Sequence, residues 1–393
     1  MSGGQDQVGV AVIGAGMAGR SHAHAYRMAQ TVFGTDAPPV RLVAIADINT
    51  DFATVTAERY GFERAESNWQ AIVDAADIHA VSIVVANHLH REIAEALLAS
   101  GKHVLCEKPL ASTVGDAEAM VRAAGVSGTV AACGFSYRRS PAISAIQEQI
   151  RAGAVGDVLH FNGHYWCDYG ADANAPTSWR YTGSPGSGAL ADVGSHLIDT
   201  AEQLCGPIDM IMGATLPTVI HDRPVPLGAA LGHAAGGAVS DERAEVTNDD
   251  LATFVVTFAS GAAGTFSVSR VAHGFPNALG FEVFGSQGAA CFDLGRNSEF
   301  GFVDTTPDPA TNGWRQVLVG PNHPYVSAAQ SMPFAGVGHG GQEFFTYQAR
   351  AFLDAVAGLD RLPAPATFAD GLRTLRVEEA VVTAASSGVA VAV

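Results

Sequence analysis

The sequence predicts an α/β Rossmann domain at the N-terminus and an α+β C-terminal domain with an open, mainly antiparallel sheet. Strands and helices alternate over the first 135 residues, and a glycine-rich turn joins the first strand to the first helix. From Ser136 onward, strand-like runs are separated by short turn signals instead of helices. We therefore predict two domains, 1–135 and 136–393, with C-terminal helices that can pack back on the first domain.

The apolar strands of the first domain are continuous, which is typical of parallel strands buried on both faces. Their predicted bounds are Gln7–Ile13, Val40–Ala46, Ala80–Ala86, His103–Cys106 and Thr129–Cys133. The intervening helices are predicted at Met17–Gln30, Asp51–Tyr60, Leu89–Ser100 and Gly115–Ala124. This alternation favours a doubly wound sheet.

The second domain begins with a helix and a long strand, and hairpin-like strands follow a further helix. The predicted elements are Ala142–Arg151, Val158–Trp166, Leu190–Leu204, Leu251–Phe258, Gly264–Val271, Gly280–Phe284, Ala289–Phe292, Gln342–Val356 and Ala369–Ala385. The segment Pro217–Asp249 is rich in Gly, Ala and Pro, and we predict a long loop or insertion there.

The charge and the cysteines exclude several classes of protein. The formal net charge of −17 disfavours binding to nucleic acids and anionic membranes, which depends on Lys and Arg. No run reaches the ~18 apolar residues of a membrane span, and the first residues lack the pattern of a secretory signal. The five cysteines are scattered without a Cys-x-x-Cys pair. We expect a cytoplasmic protein without structural disulfides.

The glycine-rich turn has the pattern G-x-G-x-x-G between a strand and a helix. In that context the glycines allow a tight turn, approach of the backbone to a pyrophosphate and close packing of the helix. We predict that Gly14, Gly16, Met17, Ala18 and Gly19 bind a dinucleotide. An ordinary glycine-rich turn is the alternative.

Asp47 follows the second strand, where Rossmann domains place the carboxylate that binds the adenosine ribose. Ile48, Asn49 and Thr50 come next, so no arginine is placed to hold a 2′-phosphate. We predict NAD in preference to NADP. A solvated aspartate at a strand end is the alternative.

Two further motifs can carry acid–base chemistry. Lys108, in Glu107-Lys108-Pro109, follows a strand of the parallel sheet, where open α/β sheets bind ligands. Asp192 and His196 stand at i and i+4 on a predicted helix, so they share a face. The alternatives are an exposed strand end for the first motif and a capped helix with a core histidine for the second.

We predict no metal site. His160 and His164 share one face of a predicted strand, but Cys167 faces the other side.

Jointly, these motifs resemble the Gfo/Idh/MocA family, the glucose–fructose oxidoreductase and inositol dehydrogenase family. The resemblance covers nearly the whole chain and rests on Gly14–Gly19 with His22 and His24, Glu107–Leu110, Gly134–Arg139 and Gly188–Asp199. It implies a catalytic set of Lys108, Asp192 and His196, and dimers or tetramers formed through the outer face of the C-terminal sheet.

The resemblance also implies further contacts with cofactor and substrate. Many members carry Thr-Pro-Asn where this chain has Val85-Ala86-Asn87, so the resemblance does not define the path of that loop. Ser178-Trp179-Arg180 resembles the subgroup that contains levoglucosan dehydrogenase and related sugar dehydrogenases. The implied cofactor contacts are Asn87, His90, Glu107, Lys108 and Arg180. The implied substrate contacts are Tyr137, Arg138, Trp166, Trp179, Asp192 and His196.

The resulting prediction is an NAD-dependent oxidoreductase that converts a ring secondary hydroxyl of a sugar, anhydrosugar or polyol to a ketone, or the reverse. One alternative is a redox-neutral lyase or glycoside-cleaving enzyme that holds NAD tightly and oxidises its substrate transiently. The other is a non-enzymatic NAD-binding regulator, which an intact acid–base set disfavours.

Overall fold

The computed structural model describes residues 7–34, 38–228, 237–305, 310 and 312–393, which form two compact units. Unit 1 contains the residues up to Ser140 together with Gly320–Arg373. Unit 2 contains Pro141–Val319 together with Thr374–Val393. The first change of unit therefore falls close to the predicted boundary at residue 135, but part of the C-terminal region belongs to unit 1.

The described residues up to Ser140 form a six-stranded parallel sheet in the order β3-β2-β1-β4-β5-β6. The strands and helices are β1 Val8–Ile13, α1 Met17–Phe33, β2 Val40–Ala46, α2 Thr50–Tyr60, β3 Arg64–Glu66, α3 Gln70–Asp74, β4 Ala80–Ile83, α4 His90–Ala99, β5 His103–Cys106, α5 Val114–Ser127 and β6 Ala131–Cys133. The strand order reverses beside β1, so the glycine-rich turn lies at the switch point where such sheets bind ligands.

Unit 2 begins with a helix and the longest strand among the described residues. A second helix follows, and hairpins come after it. Its elements are α6 Pro141–Arg151, β7 Val158–Trp166, α7 Ser195–Cys205, β8 Ile208–Thr215, β9 Asp222–Pro226, β10 Val239–Glu245, β11 Leu251–Phe258, β12 Ala263–Ser269, β13 Ala278–Gly285, β14 Gly288–Asp293, β15 Glu299–Asp304 and β16 Arg315–Leu318. The remaining elements of the chain are α8 Pro324–Ala329, α9 Gly341–Val356, α10 Phe368–Ser387 and β17 Val391–Ala392.

The larger sheet of unit 2 has, in the described residues, the order β16-β15-β14-β13-β7-β12-β11-β8-β17. Its neighbouring strands are antiparallel except for β12 and β7, which are parallel. Burial alternates along β7: Phe161 and Tyr165 are buried on the face covered by α7, while Asn162 is exposed on the other face. The predicted mainly antiparallel sheet is confirmed.

Helix α9 belongs to unit 1 because its apolar face packs against α1. Phe352 and Leu353 of α9 join a buried cluster with Ala25, Tyr26 and Ala29 of α1. The sequence predicts helix α9 itself, but the unit to which the helix belongs follows from this packing.

Two predicted elements differ in kind from the observed ones. The segment Pro217–Asp249 contains the antiparallel hairpin β9–β10, apart from residues 229–236, which lie outside the described residues. The predicted helix Leu190–Leu204 is not a single α-helix, since Leu190–Gly194 is a π-helical turn that leads into α7. Such turns occur often at functional sites.

No helix in the described part of the chain is both long and apolar enough to cross a membrane.

Candidate active site

The three glycines of the turn after β1 have different physical reasons to be there. Gly14 has φ +107°, and a Cβ on it would lie 2.2 Å from the carbonyl oxygen of Val84. A Cβ on Gly19 would lie 1.8 Å from the carbonyl oxygen of Gly14. Around Gly16, by contrast, a Cβ would meet no described atom within 4 Å. The turn is therefore held tightly by Gly14 and Gly19, and Gly16 leaves open space for a ligand.

The N-terminus of α1 is suited to bind a pyrophosphate. Gly16 is its N-cap residue, no described side chain caps it, and no acidic residue lies in its first turn. Gly16 and Met17 are exposed there. Uncapped N–H groups and the helix dipole attract an anion.

Asp47 lies beside this turn, at the end of β2. Its Oδ2 accepts a hydrogen bond from the N–H of Ala15 at 2.7 Å, and its Oδ1 accepts one from the N–H of Asn49 at 2.8 Å. The carboxylate is thus fixed next to the glycine-rich turn, in the position of a ribose-binding acid.

A buried hydrogen-bond chain that the sequence analysis did not predict leads to the Glu-Lys-Pro segment. His22 Nε2 lies 2.9 Å from Glu107 Oε1, His22 Nδ1 lies 3.0 Å from Ser82 Oγ, and Ser82 Oγ lies 2.7 Å from Tyr26 Oη. A carboxylate only accepts, so Nε2 of His22 donates to Glu107. The second oxygen of Glu107 accepts from the N–H of Lys108 at 3.2 Å. Helix α1, strand β4 and the backbone of Lys108 are joined by this chain.

His90, for which a contact with the cofactor is predicted, is tied to the backbone of unit 1. It is completely buried, and its ring nitrogens face the carbonyl oxygens of Val85, Pro109 and Leu110 at 3.1 to 3.2 Å. Burial lowers the pKa of its imidazole. His90 therefore ties the segment before α4 to the Glu-Lys-Pro segment, whereas Asn87 begins a half-buried 3-10 turn just before α4.

Tyr137 and Arg138 lie in a 3-10 turn after β6. The Tyr137 ring is 9% exposed and packs edge-on against Phe344. The guanidinium of Arg138 forms an ion pair with Asp370 at 3.1 Å. Their predicted contacts with substrate stay predictions, and these neighbours give each side chain a packing role as well.

In unit 2, Asp192 lies in the π-helical turn and His196 in the first turn of α7. His196 is 8% exposed, and its ring centroid lies 6.2 Å from that of Tyr165 on β7. Asp249 fixes the start of this helix, because its carboxylate accepts hydrogen bonds from three backbone N–H groups between Gly186 and Leu190.

Tyr169 was not among the predicted site residues. Its hydroxyl donates to Asp192 Oδ2 at 2.6 Å, across 23 positions of sequence. No spacing rule connects a tyrosine in an irregular segment with a distant helical aspartate, so only the tertiary structure reveals this pair.

Trp179 and Arg180 form a half-exposed pair. The Arg180 guanidinium stacks on the Trp179 ring at 4.4 Å, and 54% of Trp179 is exposed. The carbonyl of Arg180 accepts hydrogen bonds from Asn248 and Arg270 at 3.0 and 2.9 Å, so its backbone is fixed while the indole faces solvent.

The hairpin β9–β10 contacts the segment that precedes and contains Trp179 and Arg180. Arg223 of β9 is completely buried and donates to the carbonyls of Gly170 and Asp172. Its guanidinium lies 3.9 Å from the ring of Tyr181, which follows Arg180. Burial lowers the pKa of Arg223. The insertion therefore supports residues 170–181, a role that composition did not indicate.

Trp166 lies on the face of β7 opposite to Tyr165. Its Nε1 donates to Ser267 at 3.0 Å, and its ring stacks on His164 at 3.9 Å. The structure thus places it away from the ring of Tyr165 that packs near His196, and its contact with substrate stays a prediction. In the described residues, no group of three His, Cys, Asp or Glu side chains is arranged to hold a metal ion.

The glycine-rich turn at the switch point, with Asp47 beside it, is the arrangement of a dinucleotide-binding Rossmann domain. A sequence profile described as "Oxidoreductase family, NAD-binding Rossmann fold" matches residues 8–135, and the GFO/IDH/MocA C-terminal domain matches residues 143–291. The chain belongs to the Gfo/Idh/MocA family, which confirms the resemblance seen in its motifs.

Individual relatives match over almost the full length. Levoglucosan dehydrogenase of Pseudarthrobacter phenanthrenivorans is 39% identical over 383 residues, which is 96% of this chain and 96% of that protein. The apo structure of a levoglucosan dehydrogenase superposes with a TM-score of 0.91 at 36% identity and covers 99% of both chains. A complex of levoglucosan dehydrogenase with NADH and levoglucosan has a TM-score of 0.89 at 35% identity, covering 98% of this chain and 99% of that one.

Proposed function

We propose that this enzyme oxidises a ring secondary hydroxyl of a sugar, anhydrosugar or polyol to a ketone, or catalyses the reverse, with NAD as the hydride carrier. The observation that carries the proposal is the placement of Asp192 and the buried His196 one helical turn apart, with Tyr169 holding the Asp192 carboxylate and Asp249 holding the helix start. The likeness to levoglucosan dehydrogenase over 96% of the chain supports this substrate class.

The residues of unit 1 fit a bound dinucleotide. The open space at Gly16 and the uncapped N-terminus of α1 suit its pyrophosphate, and Asp47 suits the adenosine ribose. When bound, NAD accepts the hydride that leaves the carbinol carbon. The further side chains proposed to contact it are Asn87, His90, Glu107, Lys108 and Arg180.

His196 is proposed to take the proton of the reacting hydroxyl, while Lys108 donates a hydrogen bond to the same oxygen and stabilises its developing negative charge. The C–H bond then breaks with its electron pair, and the carbonyl forms. Asp192 orients the sugar through a neighbouring hydroxyl or holds His196. Lys108 and His196 can exchange roles, because each can carry a proton.

The preference for NAD over NADP is proposed from Asp47. Its fixed carboxylate beside the glycine-rich turn suits two ribose hydroxyls and repels a 2′-phosphate. Ile48, the next residue, is 93% exposed and offers no cation.

For the substrate, Trp179 and Arg180 are the strongest candidates, because the indole is exposed and the guanidinium stacks on it. An exposed aromatic ring suits the apolar face of a sugar, and a guanidinium suits its hydroxyls. Tyr137, Arg138 and Trp166 are proposed as further contacts.

The assembly is proposed to be a homodimer or homotetramer formed through the outer face of the large sheet. Val255 and Phe284 on that face are 43% and 38% exposed, which leaves apolar area for a second copy to cover. Sedimentation equilibrium tests this, and a monomer at micromolar concentration would contradict it.

We also propose a cytoplasmic location, in keeping with the absence of disulfides among the five cysteines, all of which are described.

The function is tested by incubating purified protein with NAD, and separately with NADP, against levoglucosan, monosaccharides, inositols and glycosides. Absorbance of reduced nicotinamide is the measurement. The expected result is turnover of one substrate class with NAD and loss of that turnover in Asp192→Asn. No reduced nicotinamide with any substrate, together with cleaved or eliminated product and cofactor bound to the protein, would favour the redox-neutral enzyme instead.

A further inference from the structure

We propose that Tyr169 is a positioning residue that keeps Asp192 ionised and in a single orientation. The part of this proposal that concerns catalysis rests on the role proposed for Asp192 above.

The contact itself is short and directional. Tyr169 Oη lies 2.6 Å from Asp192 Oδ2, within the range of a charge-assisted O–H···O⁻ hydrogen bond. Burial and the charge of Asp192 raise the pKa of the Tyr169 phenol well above its ordinary value. Tyr169 therefore stays protonated throughout the working range of the enzyme, and it acts as a donor to Asp192 instead of as a base.

The backbone on both sides of Tyr169 is immobilised. The N–H of Cys167 donates to Ser269 at 2.8 Å, and the N–H of Gly170 donates to the carbonyl of Arg270 at 2.8 Å. A Cβ on Gly170 would lie 2.9 Å from that same carbonyl oxygen. The backbone on both sides of Tyr169 is thus held by Ser269, the last residue of β12, and by Arg270.

The backbone just before Asp192 is held by Asp249. Asp249 accepts from the N–H groups of Gly186 and Leu190, and a Cβ on Gly188 would lie 2.1 Å from the carbonyl oxygen of Asp249. The backbone at the start of the π-helical turn is fixed by these contacts. The hydrogen bond from Tyr169 selects one orientation of the Asp192 carboxylate.

Two arginines of unit 2 act on this pair. Arg180 and Arg270 are the cations that act on the Tyr169 phenol, and both favour negative charge there. Arg270 is itself paired with Asp250 at 2.7 Å, in a contact buried from solvent. His196 lies one helical turn beyond Asp192. Because the phenol donates to the charged form of Asp192, its removal raises the pKa of that carboxyl.

The direct test does not require turnover. Protein labelled with ¹³C at the aspartate carboxyl is titrated by NMR, and the Asp192 signal is assigned by its loss in Asp192→Asn. We expect the titration midpoint of Asp192 to lie about one pH unit higher in Tyr169→Phe than in the wild type. The matched control is Tyr181→Phe, because Tyr181 is a buried tyrosine of the same unit, and no change is expected there. Equal midpoints in Tyr169→Phe and the wild type would overturn the proposal.

If Tyr169→Phe does not fold, the same titration is made on protein in which 3-fluorotyrosine replaces Tyr169. A fluorinated phenol is a stronger donor of almost the same shape, so the midpoint is expected to move to lower pH. An unchanged midpoint in this variant would equally overturn the proposal.

Kinetics with levoglucosan and NAD separate this inference from the proposed function. If Asp192→Asn abolishes turnover, we expect Tyr169→Phe to lower kcat at least tenfold and to move the acidic limb of kcat/KM to higher pH, with unchanged affinity for NAD. Kinetics equal to those of Tyr181→Phe would then overturn the positioning role alone. Full turnover in Asp192→Asn would instead overturn the proposed catalytic role of Asp192, and the NMR titration would still decide whether Tyr169 controls its ionisation.

Discussion

The carboxylate of Asp249 accepts a hydrogen bond from the backbone N–H of Leu190 at 2.8 Å, 59 residues away in sequence. Its other oxygen accepts from the N–H groups of Gly186 and Gly188 at 2.8 and 3.0 Å. Asp249 is 1% exposed, so these three donors have no access to water. The first turn of the helix that carries Asp192 therefore depends on a distant side chain.

Replacing that side chain should destabilise the protein and its site together. We expect Asp249→Ala to lower the free energy of unfolding by about 3 kcal/mol or more, because buried N–H groups lose a charged acceptor. Urea denaturation gives the free energy, and the assay of reduced nicotinamide gives the activity. Asp293→Ala is the matched control, since Asp293 is exposed and caps one turn through the N–H of Gly295 alone. A loss in Asp249→Ala no larger than about 1 kcal/mol, the usual cost of a cap, would contradict the structural role.

Lys108→Ala should lower turnover by several orders of magnitude while NAD still binds. The proposed role of the ammonium group is to stabilise negative charge on the reacting oxygen, and the glycine-rich turn and Asp47 remain in place. Steady-state rates and a fluorescence titration with NADH separate the two effects. Arg122→Ala, which removes a cation that is 71% exposed on α5, is the control and should behave as the wild type. Near-normal turnover in Lys108→Ala would remove the lysine from the mechanism.

Asp47→Asn should weaken the preference for NAD. The amide keeps the size of the carboxylate but not the charge that repels a 2′-phosphate, so the ratio of kcat/KM for NAD to that for NADP should fall by about tenfold or more. Asp51→Asn removes an exposed carboxylate at the start of α2 and should leave the ratio unchanged. The same ratio in both variants would show that Asp47 does not select the cofactor.

Acid should destabilise unit 1 through His323. This residue is 6% exposed, and its Nδ1 accepts from the N–H of Tyr325 at the start of α8. Burial, and then the charge of His339, lower the pKa of His323 from 6.5 to about 4. Since the folded state binds the proton more weakly than the unfolded state, the stability is complete above pH 6.5 and is lost as the pH falls toward 4. A difference of this size corresponds to about 3 kcal/mol.

The variant His323→Asn tests this assignment, because asparagine also caps helices and does not titrate. Between pH 7 and 4, the free energy of unfolding should fall by a few kcal/mol less in His323→Asn than in the wild type. The control is His273→Asn, at an exposed histidine of unit 2. Its free energy of unfolding should fall as much as that of the wild type. Parallel curves for all three proteins would contradict the role of His323.

Local patterns predicted much of the fold because the forces behind them are local. The mostly apolar strand Val40–Ala46 and the alternating strand Val158–Trp166 have the predicted bounds, since a buried strand needs apolar side chains at each position or at alternate ones. The short strand Arg64–Glu66 carries two charged residues and was missed. It forms because it pairs with the edge of β2, which no periodicity reveals.

The sequence by itself determined the glycine-rich turn, Asp47 beside it and the presence of Lys108, Asp192 and His196, because motif residues lie close together in the chain. The tertiary structure decided what holds them: Tyr169 on Asp192, Asp249 on the helix start, and the chain from Tyr26 to Glu107. It also decided the surroundings of His90, whose ring is completely buried. Hydrogen bonds between residues far apart in sequence depend on how the elements pack, and packing is a property of the whole chain rather than of any short segment.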